Sequence, residues 1–491
     1  MSTDKPGEIS GGTEAADNGM KLAETGPLTA TVESLRNVIS SLSFHALDYN
    51  PDWAEVDPGS IPLIKTKPPG LLSRRLHSVA EAHTKGFSSQ VSEFPVVFER
   101  AHGVMMEDVD GNQYIDFSSG IVVANVGHSH PKVVAAVSKA AASLMNCHDF
   151  TTAPKALLLE KLAALFPDFG IFQLYPAGTD AVEAGLRMAK EITGKSGVLG
   201  LNMGFHGKTL GAISITRPYP EQTRRYHQTP RPHCFRCDLN LSYDDCDIQC
   251  GHSVEQIIDQ HPDIGVVVVE PIQGWAGAQT PPEEYMPMLR EICDRRGVLL
   301  MADEILTGMG RTGKLLAMEH WGVVPDITTI GKGLGNGFPI AATLLHKKHQ
   351  DRLGNLSAST TFGGNPMACA AALAVLDIFE KEQIIEHGGK LGDFLMQKLK
   401  ELQTRHSIIG DVRGKGCYLG VEIVRDRETN IPFPEAATLI YRKAFEKGLA
   451  WIPAGNTLRI APPLIMSEKI AEKGVQIIEE AIMETERELN L

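Results

Sequence analysis

Asp326-Ile-Thr-Thr-Ile-Gly-Lys-Gly-Leu-Gly-Asn-Gly337 begins as a short apolar and β-branched run and passes into one lysine set among glycines. The first half has the length and composition of a buried strand. In the second half the glycines let backbone come close to whatever Lys332 faces. A nucleotide P-loop is excluded, because the Gly-x-x-x-x-Gly-Lys-Ser/Thr spacing is absent and a glycine follows Lys332. Moving outward, similar apolar runs recur at Gly197-Val-Leu-Gly-Leu201, Gly265-Val-Val-Val-Val269 and Gly297-Val-Leu-Leu-Met-Ala302, with amphipathic helical spacing between them. Near-continuous apolar strands alternating with helices predict an α/β fold, a mostly parallel sheet covered on both faces. Ligands of such sheets sit past the carboxyl ends of the strands, and Lys332 stands at one of those ends.

Three further motifs follow strand ends. Tyr175-Pro-Ala-Gly-Thr-Asp180 leads into apolar positions Val182, Leu186 and Ala189, a helix that Gly194 should stop. Gly178 and Thr179 fall at its start, where free N–H groups and the helix dipole suit a phosphate. Asp180 with Glu183 also reads as an ordinary capping box. Gly204-Phe-His-Gly-Lys208 follows the Gly197 strand and offers Phe205 or His206 to a flat ring, or simply a packed aromatic. Asp303 follows the Gly297 run, where a carboxylate is costly unless it caps the next turn or meets a cation such as a protonated pyridinium. A lysine shielded from water loses proton affinity and can form an imine; a solvated loop lysine does neither. Each motif alone has a plain structural explanation. Their order along one sheet matches the needs of pyridoxal phosphate, PLP.

Composition narrows the class. The 491 residues carry 47 Lys and Arg against 60 Asp and Glu, a net charge of −13, which excludes the basic face of a nucleic-acid binder. No apolar run approaches the roughly 18 residues of a membrane span. The N-terminus has neither a secretory apolar core nor an Arg-rich transit pattern, so a cytoplasmic location is expected. Residues 1–60 read as an extension, disordered to about Thr31 and then one helix through Val32, Leu35, Val38, Ile39 and Leu42. In the N-terminal segment 61–117, Val104 to Val109 and Gln113 to Phe117 predict a hairpin through Asp110-Gly111-Asn112. Residues 118–366 form the large PLP-binding domain. Residues 367–491 form a smaller α+β domain, helical from Met367 to about Leu402, with strands in Val412–Val424 and Ala450–Ala461.

The chain resembles the class III aminotransferases of PLP fold type I over about Ile61 to Ile482. The likeness rests on Gly127-His-Ser-His-Pro131, Gly204-Phe-His-Gly207, Glu270-Pro-Ile-Gln-Gly274, Ala302-Asp-Glu304 with Thr307-Gly308 and Gly310-Arg-Thr-Gly313, Lys332, Thr361-Phe-Gly-Gly-Asn-Pro366, and Leu458-Arg-Ile-Ala-Pro-Pro463. The resemblance implies a large domain with a mostly parallel sheet flanked by helices, and a smaller domain built from N- and C-terminal parts. It implies a PLP-dependent aminotransferase moving an amino group from an amino acid to a keto acid, aldehyde or ketone. Lys332 is then the imine lysine and proton shuttle, and Asp303 pairs with the ring nitrogen. Phe205, with His206 beside it, lies on the ring. Gly178 and Thr179 bind phosphate, and the other subunit of a homodimer supplies Thr361. Glu270 supports the site, and Arg459 clamps a substrate carboxylate. Pocket walls are assigned to Ile121, Val122, Lys208 and Trp275. Racemase, epimerase, aminomutase and decarboxylating outcomes stay open on the same cofactor.

Three positions depart from the family pattern. Trp275 stands where many glutamate-using members have a Glu that pairs with the clamping Arg. Leu306 stands where many have a Gln near the ring hydroxyl. Lys208 replaces an Arg that orients a distal carboxylate, and an ammonium is a point charge rather than a fork. Finally, His233-Cys234-Phe-Arg-Cys237, Cys246 and Cys250 form a polar insert. Its spacing is compatible with structural zinc, with reduced thiols or with a disulfide; reduced thiols and no metal are the expectation.

Overall fold

The computed structural model describes residue 57, residues 59–216 and residues 225–491. The expected disordered start and first helix lie outside them. The described residues belong to one compact unit, Asn50–Leu491. No described helix is long and apolar enough to cross a membrane.

After helices at Leu71–His83 and Ser89–Glu93 come three antiparallel strands, β1 (Phe98–His102), β2 (Met105–Asp108) and β3 (Gln113–Asp116). The predicted hairpin is β2–β3. Its turn is set by Gly111 at φ +81° and by Asp108, whose carboxylate accepts from Asn112 N at 2.8 Å and Tyr114 OH at 2.6 Å. Next come β4 (Phe169–Tyr175), β5 (Gly197–Leu201), β6 (Tyr226–Thr229), β7 (Ile264–Val269), β8 (Leu299–Asp303), β9 (Ile327–Ile330) and β10 (Ala341–His346). They form one seven-stranded sheet in the order β4-β10-β9-β8-β7-β5-β6. The pairs among β9, β8, β7, β5 and β6 are parallel; β10 runs antiparallel to both of its neighbours. β5, β7, β8 and β9 are buried along their whole length, as apolar strands covered on both faces must be.

Helix α1 (Gly178–Thr193) covers this sheet. Gly194 ends it at φ +69°, as the sequence predicted. It lies so close that a Cβ at Gly185 would meet Met301 Cε at 2.5 Å. The later chain supplies α2 (Gln249–Gln260), α3 (Pro366–Lys381), α4 (Ile384–Arg405) and α5 (Glu468–Leu489).

Val412–Val424 is not one strand but two, β11 (Ile409–Lys415) and β12 (Tyr418–Ile423), reversed through Gly416 at φ +52°. Ala450–Ala461 also divides. β13 (Leu449–Ala450) pairs in parallel with β3, while β14 (Thr457–Ile460) pairs with β12. A side-chain alternation cannot say which neighbour a strand will choose, because pairing is a long-range property.

Candidate functional site

Five of the sheet's strands deliver polar groups at one edge. β4 leads to Gly178, β5 to Phe205 and His206, β7 to Glu270, β8 ends in Asp303, and β9 leads to Lys332. Each strand's apolar side chains anchor it in the sheet. The residue just past its end is therefore the first one free to be polar.

The start of α1 has no side-chain cap; its N-cap is Ala177. The capping box is not formed. Glu183 instead accepts from Thr209 Oγ1 at 2.5 Å and from Ala212 N at 3.1 Å, fixing the loop after β5. The N–H groups at Gly178 and Thr179 are thus left to a ligand or solvent. Thr179 Oγ1 also meets Thr209 Oγ1 at 2.9 Å. Gly207, at φ +131°, lies so near that a Cβ there would strike Thr179 Oγ1 at 2.2 Å.

Asp303 is 4% exposed. Its Oδ2 lies 2.8 Å from His206 Nδ1, and its Oδ1 accepts from Thr329 Oγ1 and Ile305 N, each at 3.1 Å. Burial opposes a charge on His206, but the Asp303 carboxylate outweighs it and raises the imidazole above its ordinary value. His206 therefore acts by supporting Asp303 and does not offer a ring face. Phe205 is no packed core aromatic; it is 43% exposed, with Trp275 beside it at 6.0 Å between centroids and 30° between planes.

Glu270 is buried and raised by that burial, against the pull of His206 and its own donors. It accepts from Phe205 N and from Gly274 N, both at 2.8 Å. One carboxylate thus sets both the Phe205 loop and the turn that carries Trp275. Leu306 packs beneath that turn, where a Cβ at Gly274 would meet Leu306 Cδ1 at 2.6 Å.

Lys332 is half-buried and holds φ +43°, a conformation that costs a side chain of its kind on the order of 1 kcal/mol. Gly333 must be small, since a Cβ would meet Asn125 Nδ2 at 2.3 Å. Burial lowers the Lys332 ammonium to about 8. Asp303 and Glu270 oppose this, and Arg459 and Arg311 reinforce it.

Arg459 is 8% exposed and shares a pocket with Phe117, Ile121, Val122, Tyr418 and Ile452. Its Nε donates to the Ile452 carbonyl at 3.2 Å, and its terminal nitrogens have no carboxylate partner among the described residues. Ser119, Gly120, Ile121 and Val122 all have φ between 50° and 65°, one left-handed turn that forms a wall of this pocket. The structure brings Ile121 and Val122 to Arg459 but not the other two expected walls. Trp275 lies by Phe205, and Lys208 is an exposed residue outside the pocket lining. Thr361 is exposed at φ +58° in the loop before α3.

Two residues escaped the sequence reading. Arg311 is fully buried and donates to the carbonyls of Cys417 and Pro462, to Asn125 Oδ1 at 2.6 Å and to Ser119 Oγ at 3.3 Å. Tyr418, also buried, donates to Gly274 O at 3.0 Å. Arg311 stands in the Gly310–Gly313 motif, but the partners of both residues lie about 100 or more residues away, so no local pattern gives their roles.

Residues 87–482 match the family description "aminotransferase class-III". A leucine/methionine racemase of Thermococcus litoralis is 35% identical over 434 residues, covering 84% of this chain and 96% of that protein. A 5-aminovalerate aminotransferase of Pseudomonas aeruginosa is 37% identical over 406 residues, covering 79% of this chain and 94% of that one. Among solved structures, a PLP-bound amine transaminase from an uncultivated Pseudomonas species superposes with a TM-score of 0.77 at 30% identity, covering 82% and 98% of the two chains.

Proposed function

The chain belongs to the class-III aminotransferases, enzymes dependent on PLP, and from that footing we propose that Lys332 moves the reacting proton while Arg459 holds the carboxylate of an amino-acid substrate. The observation that carries this reading is one sheet edge that gathers the uncapped start of α1, the held carboxylate of Asp303 and Lys332, whose amine burial lowers to about 8.

The residues present fit PLP. The uncapped start of α1 offers backbone donors to a phosphate, and the lack of a Cβ at Gly207 leaves that loop close against Thr179. Asp303, buried and held by three donors, presents a carboxylate to a ring nitrogen. Phe205 presents an exposed aromatic face. Bound there, the cofactor supplies an aldehyde that takes an amine and a ring that draws electrons from the substrate's Cα.

Neutral Lys332 Nζ is the base that removes the Cα proton. Arg459 orients the substrate by its carboxylate, with Val122 and Ile121 against the side chain. Where the proton goes decides the product: Lys332 carries it away from Cα for amino transfer, whereas racemisation needs a second donor to return one to the opposite face of Cα. Transamination is the function proposed, with amino acid as donor and a keto acid, aldehyde or ketone as acceptor. Racemisation is the second reading, favoured by likeness to the Thermococcus racemase across most of both chains. The working form we propose is a cytoplasmic homodimer in which each chain lends Thr361 to the other's site. Its domains are 118–366 and a smaller one that joins 61–117 to 367–491.

The test pairs two readouts on purified protein supplied with PLP. Keto acid formation from a panel of amino acids is followed beside exchange of the Cα hydrogen in deuterated water. Keto acid with turnover of an acceptor supports transamination; exchange with loss of chirality and no keto acid replaces it with racemisation. Lys332→Ala should abolish both, and retained turnover would sink the assignment of Lys332.

A further inference from the structure

Cys234, Cys237, Cys246 and Cys250 play no part in the site above. They come from three short segments: a 3-10 turn at Cys234–Arg236, a second at Tyr243–Asp245, and the first turn of α2. The fold nevertheless gathers all four around one pocket. Its other walls include Arg231, His233, Leu239, Leu241, Tyr243, Ile248 and Pro282, with no carboxylate. All four thiols are free.

We propose that these four cysteines are a structural zinc site that fastens the insert between the main sheet and the β11–β12 hairpin.

Three observations carry it. The first is chemistry: four sulfurs with no carboxylate among them select a soft divalent ion over magnesium or calcium. The second is local geometry. Leu239 N donates to Cys237 Sγ at 3.4 Å, so the Cys-x-x-Cys turn already points backbone donors at sulfur, which steadies a thiolate. The third is what the insert does. Arg236 pairs with Glu422 of β12 and donates to Asn430 O at 2.9 Å, and Phe235 packs against Gly410 of β11. On the other side Tyr243 OH donates to Glu284 at 3.0 Å. A crosslink at this pocket would hold both sets of contacts in place.

Among the described residues, the one trio of ligand groups already within 4.8 Å of one another is His227, His261 and Asp263, elsewhere. The cysteines therefore close by side-chain rotation as the ion binds. Each thiol gives its proton to solvent, four zinc–sulfur bonds form, and the net charge left on the centre is −2. Arg231 stands in the pocket wall beside that charge.

The experiment uses the full chain, purified without chelator from cells grown with zinc. Metal content is read by mass spectrometry, and zinc release by a chromogenic chelator during titration with an organomercurial. About one zinc per chain is expected, released as the clustered thiols react. Cys147→Ser should keep it, and Cys234→Ser with Cys237→Ser should lose at least nine-tenths. Should that double variant fail to fold, the wild-type titration decides alone. Zinc-free wild type with unchanged melting, or a disulfide among these four in the mapped protein, overturns the proposal.

Discussion

Lys332 is most informative read together with the two arginines that lower it. A neutral amine is needed for it to bond an aldehyde or to take a proton, and its ammonium sits at about 8. The sign is simple: below pH 8 the group is mostly protonated and inert, above it mostly neutral. Uptake of PLP by the cofactor-free protein should therefore quicken as pH rises through about 8 and level off above. Arg459 lowers Lys332, so Arg459→Met should move that midpoint upward and slow uptake several-fold at pH 7.5; an unmoved midpoint in the absorbance time course refutes the coupling. Arg311 lowers it too, but through a costlier arrangement. Its charge is fully enclosed by neutral oxygens, and burial holds it down at about 10. Arg311→Met leaves buried acceptors at Asn125 and Ser119 unpaired, and should cost on the order of 3 kcal/mol in urea unfolding. Residues such as Lys332, Asp303 and Gly178 were legible because each stands just past a strand, where polarity has to mean something. The pairing of His206 with Asp303 was not, since nothing in a sequence says which buried donor will reach which carboxylate.

Elements were legible to the extent that their signals are local. The start and stop of α1 could be read from Gly178 and Gly194, and the β2–β3 hairpin from Asp110-Gly111-Asn112. The turn Ser119–Val122 could not. Left-handed helix costs L-residues about 1–2 kcal/mol each, and Ile121 and Val122 are β-branched, the poorest choices for it. Tertiary contacts hold it: Ser119 Oγ donates to Ala461 O at 2.6 Å and accepts from Arg311, and Asn125 lies on Arg311. Strain kept at a pocket wall points to use of the shape. Ile121 is 46% exposed, so Ile121→Gly loses little burial and relieves φ +65°. It should raise the melting temperature by about a degree. It should also loosen the wall beside Arg459 and raise KM for a carboxylate substrate several-fold with kcat less affected. A lower melting temperature would show that the turn is not strained.

At the scale of the whole molecule, three sheets join segments far apart in the chain. β13 brings Leu449 to Ile115, and β14 brings Arg459 close enough to act electrostatically on Lys332, which follows β9 of the large sheet. Only the resemblance to a family suggested that closure; periodicity carries no information on it. The same scale governs assembly. Leu144, Met145, Phe150, Leu157 and Phe362 are 45%, 59%, 79%, 55% and 57% exposed in the single chain. They come from the end of the Pro131–Ser143 helix and the segment after it, the Ala153–Leu165 helix, which like the first packs on α3, and the loop that carries Thr361 into α3. Gly364 of that loop lies against Lys155 of the second helix. Apolar side chains clustered like this in water mark an interface, and a stable one needs roughly 1,000 Å² or more. If a second copy covers this face, Thr361 is carried into contact with the partner, and the site depends on assembly. Sedimentation should then give twice the 53.3 kDa chain mass. Phe150→Asp, which buries a charge in the interface but touches nothing in the site, should shift the protein toward monomer and weaken PLP retention in proportion. A wild type that sediments as one chain, or a monomeric variant that keeps its cofactor fully, would place the whole site within a single chain.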